Sequence, residues 1–221
     1  MFFSSNSKNI YKINSDKGGY YRVYDSPQGR YLTLRNKVIG VHRNYKGLKN
    51  TYFYDLFEEL KEIKSSINNA LIFGLGAQTL QNLLIEFYPK IKITTIDSDS
   101  SLLDINDYFF HREKNTNNSI ILSDAFQFVK NSESLFDFHD KCDLVVVDFN
   151  LLGTHFYSEV FLKEVKNFLT HKGVFLIIFE RKNYFQNFEI FKFVQRISLY
   201  YNKVTLLYSK NNILGVLCSD N

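Results

Sequence analysis

The chain has 221 residues, enough for one globular domain with a small extension; 45% of them are hydrophobic and 17% aromatic, which excludes a disordered segment. A formal net charge of +4, with the basic residues scattered, offers no polyanion-binding face, so no nucleic-acid partner is expected. The opening MFFSSNSKN is too short and polar for a signal peptide, no apolar run approaches the roughly 18 residues that span a bilayer, and the two cysteines, Cys142 and Cys218, make neither a metal pattern nor a disulfide framework, so a cytoplasmic protein with no membrane segment and no metal is expected.

Residues 10–45 contain two or three short β-prone stretches. DSPQG, between Tyr24 and Arg30, is a turn: Pro27 pre-sets φ and Gly29 permits positive φ. Asn36-Lys37 is a weaker second turn signal. A small antiparallel β unit is expected here, without chemistry of its own, serving as a lid or an oligomer contact. From residue 51 the period changes. Phe53, Leu56, Phe57, Leu60 and Ile63 recur at helical spacing.

An alternation follows. Strand Ala70–Phe73 leads to helix Gln78–Phe87, strand Ile91–Ile96 to helix Ser101–Phe110, and strand Ser119–Leu122 to helix Ala125–Asn131. Strand Asp143–Val147 leads to helix Tyr157–Thr170, and strand Val174–Phe179 to helix Tyr184–Tyr200. KVTLLYSKNNILGVLCSD closes the chain as a hairpin turning at Asn211-Asn212. Apolar strands separated by helices form a parallel sheet covered on both faces. With the terminal hairpin, the α/β pattern predicts a Rossmann-like class I methyltransferase fold, a seven-stranded, mostly parallel sheet. Residues 1–50 form the N-terminal β segment and 51–221 the Rossmann-like nucleoside-binding domain.

In such sheets ligands sit at the carboxyl ends of the strands. After the first strand come Gly74 and Gly76, whose missing side chains allow a sharp turn and a close approach. The stretch is neither a P-loop nor a full G-x-G-x-x-G. Asp97 and Asp99 follow the second strand. One caps the helix that starts near Ser100, leaving Asp97 for ribose hydroxyls. Asp124 follows the third strand, where it can accept from an adenine amine, cap a helix, or both. Asp148 ends the buried run Val145-Val146-Val147, at the mouth of a central strand. Three acids around a glycine turn without lysine favour an adenine nucleoside with a positive centre, such as a sulfonium. His42, His111, His139, His155 and His171 are too scattered for a metal site. His155 follows Asp148 closely enough to line the same pocket, and Tyr157 opens the next helix, in reach of the adenine, though an ordinary surface role for the first and core packing for the second account for them better.

This order of motifs resembles the spermidine synthase (polyamine aminopropyltransferase) family within the class I methyltransferase fold, from about Tyr21 to the C-terminus. GRYLTLRNKVIG is similar to the family's N-terminal β segment, and ALIFGLGAQT lies where the family has its GGGDGG loop. TIDSDSSLLDINDYF is similar to the E-x-D segment, with Asp97 at the ribose carboxylate. ILSDAFQFV is similar to the adenine segment, with Asp124 and Ala125. CDLVVVDFN falls on the catalytic segment, with Asp148 at the catalytic carboxylate. The resemblance implies S-adenosylmethionine or decarboxylated S-adenosylmethionine as donor, a small-molecule amine-type acceptor and a homo-oligomer, a dimer for example. The departures lie at the polyamine half: Ala77 and Leu151 stand where the family has acids, and Phe53-Tyr54-Asp55 only approximates the family's Tyr-[HQ]-[EDH] motif. Aminopropyl transfer, methyl transfer, and a non-catalytic nucleoside-binding or scaffold role all stay open. An NAD-type oxidoreductase fits less well, because the glycine pattern is incomplete.

Overall fold

The computed structural model describes residues 6–16, 18–46, 48–50, 52–111, 117–135, 140–148, 158–180, 184–208 and 213–220. Its N-terminal part is a four-stranded antiparallel sheet in the order β1-β2-β3-β4. The strands are β1 (Lys8–Asn14), β2 (Tyr20–Ser26), β3 (Gly29–Leu34) and β4 (Lys37–Val41). The unit is therefore one or two strands larger than the pattern predicts. Ser26 pairs with Gly29, so Pro27 and Gln28 form the expected turn. Leu34 pairs with Lys37, so the second turn is Arg35-Asn36, one residue earlier than expected. Both residues have positive φ, 51° and 64°, as a type I′ hairpin requires.

The larger sheet has seven strands in the order β10-β11-β9-β8-β5-β6-β7. Its parallel strands are β5 (Asn69–Phe73), β6 (Lys92–Asp97), β7 (Asn118–Leu122), β8 (Cys142–Asp148) and β9 (Leu169–Glu180). β10 (Lys203–Tyr208) and β11 (Ile213–Ser219) close it, and β11 runs antiparallel to both of its neighbours. The Asn211-Asn212 turn lies outside the described residues. The helices are α1 (Tyr52–Ile63), α2 (Thr79–Phe87), α3 (Ser101–Ile105), α4 (Ala125–Leu135), α5 (Glu159–Asn167) and α6 (Tyr184–Ile197).

Strand alternation divides the core into two layers. Leu71, Phe73, Val145, Val147, Phe175 and Ile177 pack with Phe128, Phe161 and Phe193 of α4, α5 and α6. Ala70, Ile72, Leu144, Val146, Leu176 and Ile178 pack with Leu56, Phe57, Leu60, Leu83 and Leu84 of α1 and α2. Fully burying each such side chain contributes about 1.5–3 kcal/mol. Ile63, expected on the buried stripe of α1, is 48% exposed.

Several boundaries differ from the pattern. The helix expected over 101–110 is α-helical only to Ile105 and widens into a π turn over Asn106–Phe110. α4 continues past Asn131, where the backbone kinks. The helix expected over 157–170 is described only as α5, and Thr170 already belongs to β9. Four residues of β9 face one of β8 here, between the pairs Cys142–Leu169 and Leu144–Val174. That bulge forces tight backbone packing, since a Cβ on Gly173 would lie 2.8 Å from Cys142 O.

Candidate active site

β5 sits at the reversal of strand order, the usual ligand position in such sheets. Its last residue, Phe73, pairs with Ile96 on one side and Val147 on the other. One register step further, Gly74 lies between Asp97 and Asp148. With strands about 4.8 Å apart, the two acidic residues straddle the glycine with Cα atoms about 10 Å apart. By alternation both belong to the face that α1 and α2 cover.

Asp97 is fixed by backbone donors. Leu75 N donates to its Oδ2 at 2.8 Å and Asp99 N to its Oδ1 at 2.9 Å. Burial pushes its carboxyl above the ordinary range, and the amide donors oppose that shift. The Ser98 amide adds a third backbone donor, so about one of the carboxylate's roughly four acceptor sites stays open to a ligand hydroxyl. Asp99 is the capping acid of the pair: its Oδ1 accepts from Ser101 N at 3.1 Å. Its Oδ2 accepts from Ser15 Oγ at 2.8 Å and Asp16 N at 3.2 Å, both from the N-terminal segment.

The glycine turn is held from two sides. Gly74, Gly76 and Gln78 all have positive φ, 109°, 52° and 58°. Beneath the turn, Asn106 Nδ2 donates to Gly76 O at 2.8 Å, and Gln78 Nε2 donates to Asn106 Oδ1 at 3.2 Å. From the other side β4 lies directly on it. A Cβ on Gly40 would come within 2.6 Å of Ala77 Cβ and 2.7 Å of Ala77 N. Thr79 Oγ1 accepts from Val41 N at 2.8 Å and donates to Val41 O at 3.1 Å, so β4 covers the start of α2. The N-terminal unit, expected to carry no chemistry of its own, thus forms one wall of the turn and a support for Asp99.

Asp124 caps α4, its Oδ1 accepting from Phe126 N at 3.0 Å and Gln127 N at 3.1 Å. It is exposed, and Ala125 behind it is buried. Asp148 is 3% exposed at the end of β8. Leu151, His155 and Tyr157 lie outside the described residues. Phe53 is buried, and the Tyr54 ring sits 5.3 Å from that of Phe87. Two of the scattered histidines do meet: the rings of His42 and His111 are 5.7 Å apart, edge to face. Among the described residues no three His, Cys, Asp or Glu side chains converge on a point.

Four supports of the site escape the strand-end reading: Ser15, Gln78, Thr79 and Asn106. Asn106 has a readable signal, because it is a polar residue at an apolar phase of its helix, between Leu102, Ile105 and Phe110. Ser15 has none, since its partner is 84 residues away.

No family model matches the chain. A curated relative, a probable polyamine aminopropyl transferase of Bifidobacterium longum, is 28% identical over 142 residues. That match covers 59% of this chain, and the chain spans about a third of the relative's length, 30%. The spermidine synthase of Thermotoga maritima superposes with a TM-score of 0.73 at 17% identity, covering 97% of this chain and 73% of that one. The chain is spermidine synthase-like in fold. A spermidine synthase in complex with the transition-state analogue AdoDATO gives 0.72 at 18% identity, over 97% of this chain and 74% of that one. A methyltransferase has a similar fold. Human methyltransferase-like protein 13 in complex with SAH gives 0.59 at 15% identity, over 77% and 79% of the two chains. Among the described residues no helix is long and apolar enough to cross a membrane.

Proposed function

We propose that this chain is a transferase that binds S-adenosylmethionine or its decarboxylated form and moves an alkyl group, aminopropyl first, onto an amine-type acceptor. The observation that supports it most is the pair Asp97 and Asp148 astride Gly74 at the strand-order reversal of a spermidine synthase-like sheet. Asp97 keeps an acceptor site for a ribose hydroxyl, and Asp124 at the next strand end can take an adenine amine. The donor's sulfonium makes its attached carbon electrophilic, with a neutral thioether as leaving group. The acceptor nitrogen's lone pair forms the new C–N bond as the C–S pair returns to sulfur. Asp148 orients the amine and takes the proton that the product ammonium sheds.

The start of α2 argues against a dinucleotide. A helix N-terminus commonly seats a pyrophosphate, but here Gly40 and Val41 of β4 occupy that position. Methyl transfer is the second reading, favoured by Ala77. It is fully buried against Gly40 and offers no carboxylate to an ammonium-bearing tail, whose burial unpaired is costly.

Calorimetric titration with S-adenosylmethionine, decarboxylated S-adenosylmethionine and methylthioadenosine tests the proposal. Binding of one donor is expected, weakened about 10- to 100-fold in Asp97→Ala, as loss of hydrogen bonds to a charged acceptor implies. The preferred donor separates aminopropyl from methyl transfer. A folded protein that binds none of the three overturns the transferase reading.

A further inference from the structure

We infer that Asn106 is a positioning residue, the clamp that holds the nucleoside-facing turn in its ligand-ready shape. It deepens the reading above and rests on it only for the ligand arm of the test. Asn106 is 0% exposed and lies 30 residues from the turn in sequence. Both amide hydrogens are used, and the carbonyl oxygen accepts one bond. Nδ2 donates to Gly76 O at 2.8 Å and to Leu102 O at 2.7 Å, while Oδ1 accepts from Gln78 Nε2 at 3.2 Å.

The two residues it grips both have left-handed backbone conformations. Gly76 sits at φ 52°, and a Cβ there would lie 2.8 Å from Ile39 O. Gln78 sits at φ 58° without being a glycine, a conformation that persists only where the surroundings impose it. The amide fixes the carbonyl of one and the side chain of the other, so the peptides between them cannot rotate independently. Asn106 also opens the π turn, a wide turn of a kind that recurs at functional sites. The start of α3, five residues before Asn106, is tied through Asp99 to Asp97, so the proposed ribose acid and the glycine turn are held by one helix.

Hydrogen exchange on the unliganded protein is the first test, because it needs no ligand. In Asn106→Ala the amides of 74–78 are expected to exchange about tenfold faster or more, while those of β5 and β8 keep their protection. Methylthioadenosine binding should weaken by about tenfold in the same variant. Asn106→Asp supplies the discriminating readout. Its protonated carboxyl can donate to Gly76 O and accept from Gln78, whereas the ionised form cannot donate. Burial against two carbonyl oxygens raises the introduced carboxyl above the usual Asp value of about 4, so the ratio of its Kd to that of the wild type should be smallest at pH 5 and grow toward pH 8. A purely space-filling role would leave that ratio flat. If Asn106→Ala fails to fold, Gln78→Met removes one arm of the clamp and should still accelerate exchange at 74–78. Unchanged exchange at the turn in whichever variant folds, or a flat ratio for Asn106→Asp, overturns the inference. A wild type that binds no methylthioadenosine, with exchange accelerated in the variant, overturns the nucleoside reading and leaves the clamp standing.

Discussion

Asp99 is a buried carboxylate whose charge is held by neighbours from the N-terminal segment and from α3. Burial works to raise its pKa, but the Ser15 hydroxyl, the Ser101 donors and the Tyr21 hydroxyl outweigh that and hold it below the ordinary range. A carboxyl depressed in the folded state adds stability above its unfolded value, about pH 4, and loses it as pH falls through the folded value. Ser15→Ala removes a hydrogen bond to a charged acceptor and should cost about 2 kcal/mol at pH 7. The gap between variant and wild type should narrow as pH drops below about 4. Urea unfolding followed by circular dichroism across pH measures it, and a gap that does not change with pH would refute the ionic account. At this scale the sequence was partly readable. A strand-end acid followed by a second acid before a helix announces one cap, and Asp99 takes that role. Ser15 was hidden because a side-chain hydrogen bond across 84 residues leaves no periodic trace.

β4 and the glycine turn meet backbone to backbone, and Gly40 is what allows it. An alanine there would set its Cβ 2.6 Å from Ala77 Cβ, 2.7 Å from Ala77 N and 3.0 Å from Thr79 Oγ1. Two of these three are atoms of the turn's own framework and cannot rotate away. Gly40→Ala should therefore cost about 1–3 kcal/mol, as overpacking does. Adding Ala77→Gly should recover only part, because Ala77 N stays in the way. The urea midpoints of the single and double variants decide this: a single variant as stable as the wild type would mean that β4 does not press on the turn. The strands and helices around this contact were largely legible, since apolar runs alternating with amphipathic segments leave few other folds. The exceptions have local causes. NDYFF continues a helical pattern, so nothing in it marks a π turn. LTHKG reads as a helix end, yet it enters β9 because the bulge opposite Cys142 draws it into the sheet.

The two sheets share one core, which makes the whole molecule a single unfolding unit. Tyr21, Val23 and Leu32 of the small sheet cluster with Leu75 and Ala77 of the glycine turn and with Leu102, Ile105 and Phe110 beyond β6. Tyr31 and Val41 join the layer of α1 and α2 on the other side of the same strands. The N-terminal segment looked separable in sequence, because its short-period pattern ends near residue 45 and a helical one begins. The three-dimensional contact is what joins them, and only side chains from both segments, far apart in the chain, reveal it. Val23, fully buried in this junction, reports on the coupling. Val23→Ala should cost about 2 kcal/mol and lower Tm by about 4–8 °C. Because the cluster belongs to both sheets, the melt should keep one transition, seen alike in far-ultraviolet circular dichroism and in the near-ultraviolet tyrosine band. If the small sheet were an independent lid, the variant would instead split the melt, with an early step confined to β1–β4 and the seven-stranded sheet unfolding at its original temperature. That outcome would detach the wall formed by β4 from the stability of the turn.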